Sequence, residues 1–236
     1  MNVQRYARIA GVLFLISLVA GGFGEAYAPS KIIVSGDAAA TVANINNLGF
    51  IYRLGFASFM IESLCDITLA LLLYALLKPV NKYLSLLAAF FGLIATATFA
   101  CAELFYFAPL VILRSDSFLN TFSPDQLNAL VLLTLKFSMY AGMLTTAYYG
   151  MGWLVRSYLM FRSGYLPKFL GVLMAIGGLG FVLRNFLLIL APSYASDVFL
   201  MLMMPGGLIM TGWLLVKGVD LPKWNARVAL AADERG

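Results

Sequence analysis

The stretch from Arg53 to Lys78, RLGFASFMIESLCDITLALLLYALLK, is an apolar run long enough to cross a bilayer, and it carries Glu62 and Asp66 near its middle. A helix of about 20 residues, rising about 1.5 Å per residue, covers the roughly 30 Å of hydrocarbon in a bilayer. On an insertion scale a central acid costs roughly 2.5–3.5 kcal/mol, while each Leu, Ile, Phe or Val returns only about 0.3–0.6 kcal/mol. Two acids four residues apart share one helix face. That face is excluded from lipid and must meet the rest of the protein. The remainder of the chain is therefore read as the helices that satisfy it.

Composition supports a lipid setting. The chain is 62% hydrophobic and 11% charged, whereas a soluble domain carries about 25% charged residues. The fold class expected is an all-α polytopic membrane bundle occupying residues 1–236 as one domain, with the lipid bilayer as its first partner. The net charge of +5 does not point to nucleic acid, because the basic residues sit at helix ends, where orientation signals lie. The chain has no histidine, which removes His-based metal sites, Ser-His triads and imidazole proton shuttles. Cys65 and Cys101 both lie inside apolar runs, outside any C-x-x-C motif, and read as packing residues. No nucleotide, metalloprotease or hydrolase motif is present, and no cofactor or metal is implied.

Six spans are predicted, at about 6–27, 52–77, 83–113, 124–155, 168–190 and 197–217, followed by a polar tail over 218–236. The first ends GGFGEAYA, where Ala26-Tyr27-Ala28 resembles a small-x-small cleavage site; an uncleaved first span fits the charges better. Ser35 or Asp37 is placed to cap a short interfacial helix over 38–45. Pro79 marks a tight turn after the second span. Ser123-Pro124-Asp125-Gln126 is a helix start, with Ser as N-cap, Pro at the first position and Gln able to bond back. Arg156 to Lys168 reads as a basic loop, and Pro205-Gly206-Gly207 as an interruption of the last span. Eleven Lys and Arg fall on the amino-terminal side (Arg5, Arg8, Lys78, Lys82, Arg156, Arg162, Lys168, Lys217, Lys223, Arg227 and Arg235) and three on the other (Lys31, Arg53 and Arg114). Both termini are therefore expected in the cytoplasm, with the chain in the plasma membrane.

The runs DAAATVANI, RLGFASFMIESLCDITLALLLYALLKPVN, SPDQL, FRSGYLPKFLGVL and WLLVKGV together resemble a bacterial multi-pass membrane family, domain-of-unknown-function family 4386. The resemblance covers nearly the whole chain. It implies an all-helical integral membrane protein of the cell envelope and brings no activity or site residue with it.

The candidate site rests on charge inside the spans. Counted from the outer end of each span, Glu62 and Glu103 lie roughly ten residues deep, Lys136 about twelve and Arg184 about six, with Asp66 a turn further in. Left bare, five such charges would cost roughly 12–18 kcal/mol, more than most domains have in total stability. They are expected to pair as buried salt bridges, with Arg184 as the hub because its planar fork can hold two carboxylates. Glu25 is counted with them at the end of the first span; Thr96, Tyr106, Tyr140 and Asn185 are expected to complete hydrogen bonds, and Pro205 and Gly206 to open backbone groups. Gly177 and Gly180 precede Arg184 and admit a neighbouring backbone. Three functions remain open on these residues. One is a small-molecule or ion binder or transporter, since ionisable groups in membranes mark pathways. Another is a non-catalytic accessory or signalling protein whose charges are structural. The third is an intramembrane enzyme using paired carboxylates.

Overall fold

The computed structural model of the chain describes residues 2–196 and 198–233. Arg235, one of the basic residues counted above, and the rest of 234–236 lie outside the described residues, as do Met1 and Asp197. The fold is all-helical, with no strand among the described residues. Among the described residues, five helices are long and apolar enough to cross a membrane: Val3–Ile32, Gly49–Leu77, Lys82–Ile112, Pro124–Ser163 and Lys168–Leu190.

The first of these is α1 (Val3–Gly21), a π-helical segment (Gly22–Tyr27) and α2 (Ala28–Ile32) in unbroken succession. It runs past the expected end at residue 27, through Pro29 to Ile32, and the π-helical widening lies directly before Pro29, where a proline's ring and missing N–H disturb the preceding turn. The surface helix is α3 (Ala38–Asn47), and Asp37 caps it as expected, accepting from the Ala40 N–H at 2.8 Å. The second and third spans are α4 (Gly49–Leu77) and α5 (Lys82–Ile112). A short helix not anticipated, α6 (Asp116–Thr121), precedes α7 (Pro124–Ser163). At the start of α7 the capping box forms in both directions: the Gln126 N–H donates to Ser123 Oγ at 3.3 Å, and the Ser123 N–H to Gln126 Oε1 at 2.9 Å.

Three expectations are corrected downstream. The fourth helix continues to Ser163, so Arg156 lies within it and not in a loop. Nothing in 156–163 breaks a helix; the stop comes at Gly164, whose φ of 76° suits the left-handed cap. After α8 (Lys168–Leu190), the last apolar segment comprises α9 (Val198–Met201) and α10 (Met203–Val216), with a turn at Leu202. The interruption therefore lies before Pro205, which takes the third position of α10, where an N–H would lack an intrahelical partner anyway. Finally, the polar tail folds. Gly218, at φ 67°, ends α10, and α11 (Leu221–Asp233) follows, with Asp220 Oδ1 accepting from the Lys223 N–H at 3.3 Å.

The chain forms two compact units. The first comprises residues 1–15, 65–96 and 144–236. Its core is built from Leu73, Leu76, Leu77, Trp153, Leu159, Met160, Leu170, Met174, Met210 and Leu214, all essentially inaccessible. Glycines bring its helices to backbone contact. A Cβ on Gly178 of α8 would lie 2.9 Å from the Gly150 carbonyl oxygen of α7, and one on Gly11 of α1 2.8 Å from the Leu215 nitrogen of α10. The second unit comprises residues 16–64 and 97–143. Its core joins Ile32, Ile45, Tyr52, Phe59, Phe99, Tyr106 and Val131. Large apolar side chains such as Val19, Leu64, Leu104 and Ile189 are about two-thirds exposed. Such a surface suits lipid as its solvent.

Candidate functional site

In the second unit, α1's continuation, α4 and α5 supply three carboxylates. Glu62 of α4 lies against Gly21: a Cβ there would sit 2.8 Å from Glu62 Oε1. Gly24 plays the same part for Phe59, whose ring would meet a Cβ at 2.8 Å. The GGFG run is thus a packing surface, as its place in an apolar helix suggested. Glu25 lies in the π-helical segment, a kind of irregularity frequent at functional sites. It is exposed, yet its charge is felt at Glu103 of α5.

Glu103 is the most enclosed of the three, at 8% exposure. Its Oε2 is buried with no hydrogen-bond partner among the described residues. One turn on, the Tyr106 hydroxyl is buried in the same condition. Tyr52 stacks on Tyr106 with ring centroids 4.6 Å apart and donates its hydroxyl proton to the Tyr106 carbonyl oxygen. Phe59 meets Tyr106 edge-on at 5.3 Å and Phe99 edge-on at 5.5 Å. Glu103 forms part of the wall of a cleft of about 400 Å³ between α4 and α5. The rest of that wall is Phe56, Phe59, Met60, Ser63, Leu64, Ala100 and Leu104.

The expected partners divide differently. Lys136, expected as an interior cation, is exposed on α7, and Tyr140 beside it is 58% exposed. No buried salt bridge forms around Lys136; its long stem lets the ammonium sit outside the packed core. One ion pair of the described residues is local and exposed, Lys223 Nζ to Asp220 Oδ2 at 3.0 Å. That pairing holds the Asp220 carboxyl below the usual carboxylate range.

Asp66 and Arg184 belong to the first unit, both half-buried. There Asp66 lies within electrostatic range of Arg156, a residue sequence reasoning had assigned to a loop. Arg156 is 4% exposed, and its Nη2 donates to the Ala88 carbonyl oxygen at 3.2 Å. Gly92 makes the room: a Cβ there would stand 2.7 Å from Nη2. The signal available in advance was the lack of any helix stop between Leu154 and Gly164. Thr96 donates to the Gly92 carbonyl oxygen on its own helix at 3.0 Å. Asn185 is buried and donates to Thr146 Oγ1 at 2.8 Å and to the Phe181 carbonyl oxygen at 2.7 Å. Gly180 admits the Phe199 backbone, and Gly206 of α10 lies close to the Leu173 carbonyl of α8, as small residues allow. Cys65 is buried and Cys101 exposed, and neither is in a disulfide. Among the described residues no three of His, Cys, Asp and Glu converge in a way that could hold a metal ion.

The first unit also has a cleft of about 420 Å³ where the α7–α8 loop meets the start of α11, lined by Tyr165, Trp213, Lys217 and Lys223 among others. Tyr165 donates to the Leu76 carbonyl oxygen at 2.6 Å, and burial pushes its phenol above the ordinary range.

Residues 9–218 match the model of a family described as "Domain of unknown function (DUF4386)". The chain belongs to that family. A relative, an uncharacterised protein of Archaeoglobus fulgidus, is 27% identical over 156 residues, which is 66% of this chain and 78% of the relative. No solved structure matches the chain. Family membership accords with five long apolar helices and leaves the activity to be argued from the site.

Proposed function

We propose that this DUF4386 protein is a membrane-embedded binder of a small molecule or ion, acting as a transporter, with Glu103 at its centre and Glu62 and Glu25 beside it. The observation that carries this reading is the Glu103 carboxyl, enclosed, without a hydrogen bond at Oε2, and set in the wall of a cleft. A carboxylate in apolar surroundings must be neutralised by a proton or a cation. A group that must exchange one for the other is what a proton-linked binding site needs. The titratable groups that share its surroundings are Glu25, Tyr52 and Tyr106.

In this reading the protein crosses the plasma membrane six times, with both ends in the cytoplasm. The α9–α10 segment is the sixth crossing. Its 14-residue α10 alone reaches only about 21 Å, and with α9 about 28 Å, close to the hydrocarbon thickness. An even number of crossings also keeps the basic residues at the helix ends, such as Arg5, Lys78, Lys82, Lys168 and Lys217, on one side.

A hydrophobic carbodiimide, which reacts with protonated carboxyls in membranes, provides the test. Mass spectrometry of the labelled protein is expected to find the adduct on Glu103, less of it as pH rises, and none in Glu103→Gln. Glu103 left unlabelled at every pH, while other carboxyls react, would remove the basis of the proposal.

A further inference from the structure

We infer that the cleft between α4 and α5 takes a lipophilic organic cation, such as an amine or onium ion carried on an apolar body. This deepens the reading of Glu103 above and depends on it.

The chemistry of the wall selects the charge. Among the residues lining the cleft, Glu103 is the charged one, and no Lys or Arg faces it there. Glu25 adds a second negative charge within electrostatic reach of Glu103. An anion would meet repulsion from both, and a neutral ligand would leave Glu103 dependent on its proton. A cation in the cleft supplies the Glu103 carboxyl with an opposite charge that no other lining residue provides.

The same wall selects an apolar body over a bare ion. Phe56 and Phe59 offer ring faces or edges, and Met60 a polarisable thioether; organic cations gain from such aromatic and sulfur contacts. A metal ion needs several oxygen, nitrogen or sulfur ligands. Here Ser63 is the other lining residue with a polar side-chain atom, and no metal-competent cluster exists among the described residues. The volume of about 400 Å³ falls in the range of small-molecule sites, roughly 300–1,000 Å³. Access fits as well. Met60, Leu64 and Leu104 are 57%, 67% and 68% exposed, so the rim of the cleft is apolar surface of the kind that faces acyl chains. A ligand dissolved in the bilayer reaches Glu103 without leaving it.

Binding of a cation to the protonated site releases the Glu103 proton: the O–H bond breaks, the proton leaves to water, and the carboxylate keeps the electron pair and faces the cation. Affinity is therefore expected to rise by up to about tenfold per pH unit while Glu103 holds its proton. Besides Glu25, the groups able to modify that slope are Tyr52 of α4 and Tyr106 of α5, with Glu62 on α4 nearby in sequence.

The probe is tetraphenylphosphonium, tested by equilibrium dialysis against the full-length protein in lipid nanodiscs. Tetraphenylborate, an anion of the same shape, is the comparison. Saturable binding of the phosphonium is expected, at least about tenfold weaker in Glu103→Gln and unchanged in Lys136→Gln. A second variant guards against a misfolded first one. Ala100 is exposed and lines the cleft, so Ala100→Phe should fill it, abolish binding and leave the unfolding midpoint in place. Equal phosphonium binding by the native protein and Glu103→Gln, or equal binding of the borate, would overturn the inference. Carbodiimide labelling of Glu103 with no phosphonium binding would overturn the ligand class alone. Absence of both would end the reading of Glu103 as a site as well.

Discussion

Substituting Gly178 by Ala perturbs the α7–α8 crossing in the first unit directly. The new Cβ would lie 2.9 Å from the Gly150 carbonyl oxygen, 3.1 Å from Leu154 Cγ and 3.2 Å from the Leu154 nitrogen. Ordinary contact begins near 3.4 Å, and two of those three atoms are backbone, so no side chain can swing away to relieve the strain. Helices α7 and α8 must part by about 0.5 Å, enough to forfeit a quarter or more of the dispersion attraction at each contact along the crossing. Overpacking of this kind costs about 1–3 kcal/mol. Replacing a helical glycine by alanine returns about 0.5–1 kcal/mol. The net loss is on the order of 1–2 kcal/mol, or about 2–8 °C in the unfolding midpoint of a chain this size. Gly212 of α10 is the internal control, since a Cβ there meets nothing within 4 Å; Gly212→Ala should be neutral or stabilising. Gly150→Ala should resemble Gly178→Ala, because its Cβ would lie 2.8 Å from the Gly178 oxygen. The double substitution should cost less than the sum, as the helices need to separate only once. The assay is intrinsic-fluorescence unfolding of the purified protein in detergent. Gly178→Ala as stabilising as Gly212→Ala would refute the close-crossing argument.

Two further outcomes follow from the charged residues. Arg156→Met keeps the apolar stem but loses the charged hydrogen bond to the Ala88 carbonyl, a loss of about 1.5–3 kcal/mol; adding Asp66→Asn should recover part of it by removing the charge that Arg156 offsets, and an additive double variant in unfolding experiments would contradict the coupling. Asp220, whose carboxyl is held low by hydrogen bonds from Lys223, should stabilise the start of α11 fully above the ordinary carboxylate range and lose that contribution as pH falls through its depressed value. Trp224 fluorescence, or amide exchange in α11, should show that acid step in the native chain and lack it in Asp220→Asn; a step of equal size in both would rule out Asp220 as its source.

Much of the fold was readable because lipid imposes coarse rules. Apolar runs long enough to cross a bilayer, a reciprocal Ser123–Gln126 cap and an Asp37 cap are local features, and local sequence determines them. What stayed hidden depends on which way a side chain turns. Arg156 looked like a loop residue because charge was taken to mean water, yet a cavity opened by Gly92, 64 positions earlier in the chain, receives its guanidinium. Lys136 looked interior by depth, but depth along a helix says nothing of azimuth. Pro205 marked an irregular helix correctly and its position wrongly, since proline is harmless in a first turn and the break lies at Leu202. The helix in the tail is hidden because its polarity masks an amphipathic pattern, with Trp224 and Arg227 on the inward face. Of the candidate site, the enclosure of Glu103 was legible from the cost of a bare charge in lipid. Its cleft was not, because a cleft is made by the side chains of two helices distant in sequence.

The central claim is that Glu103 exchanges a proton for a bound cation. Infrared difference spectroscopy of the protein in lipid, before and after tetraphenylphosphonium is added, measures that exchange at the carboxyl itself. The expected result is loss of a protonated-carboxyl C=O stretch and growth of carboxylate bands, both missing from Glu103→Gln. An identical difference spectrum in Glu103→Gln, or no change in the native protein under saturating phosphonium, would contradict it.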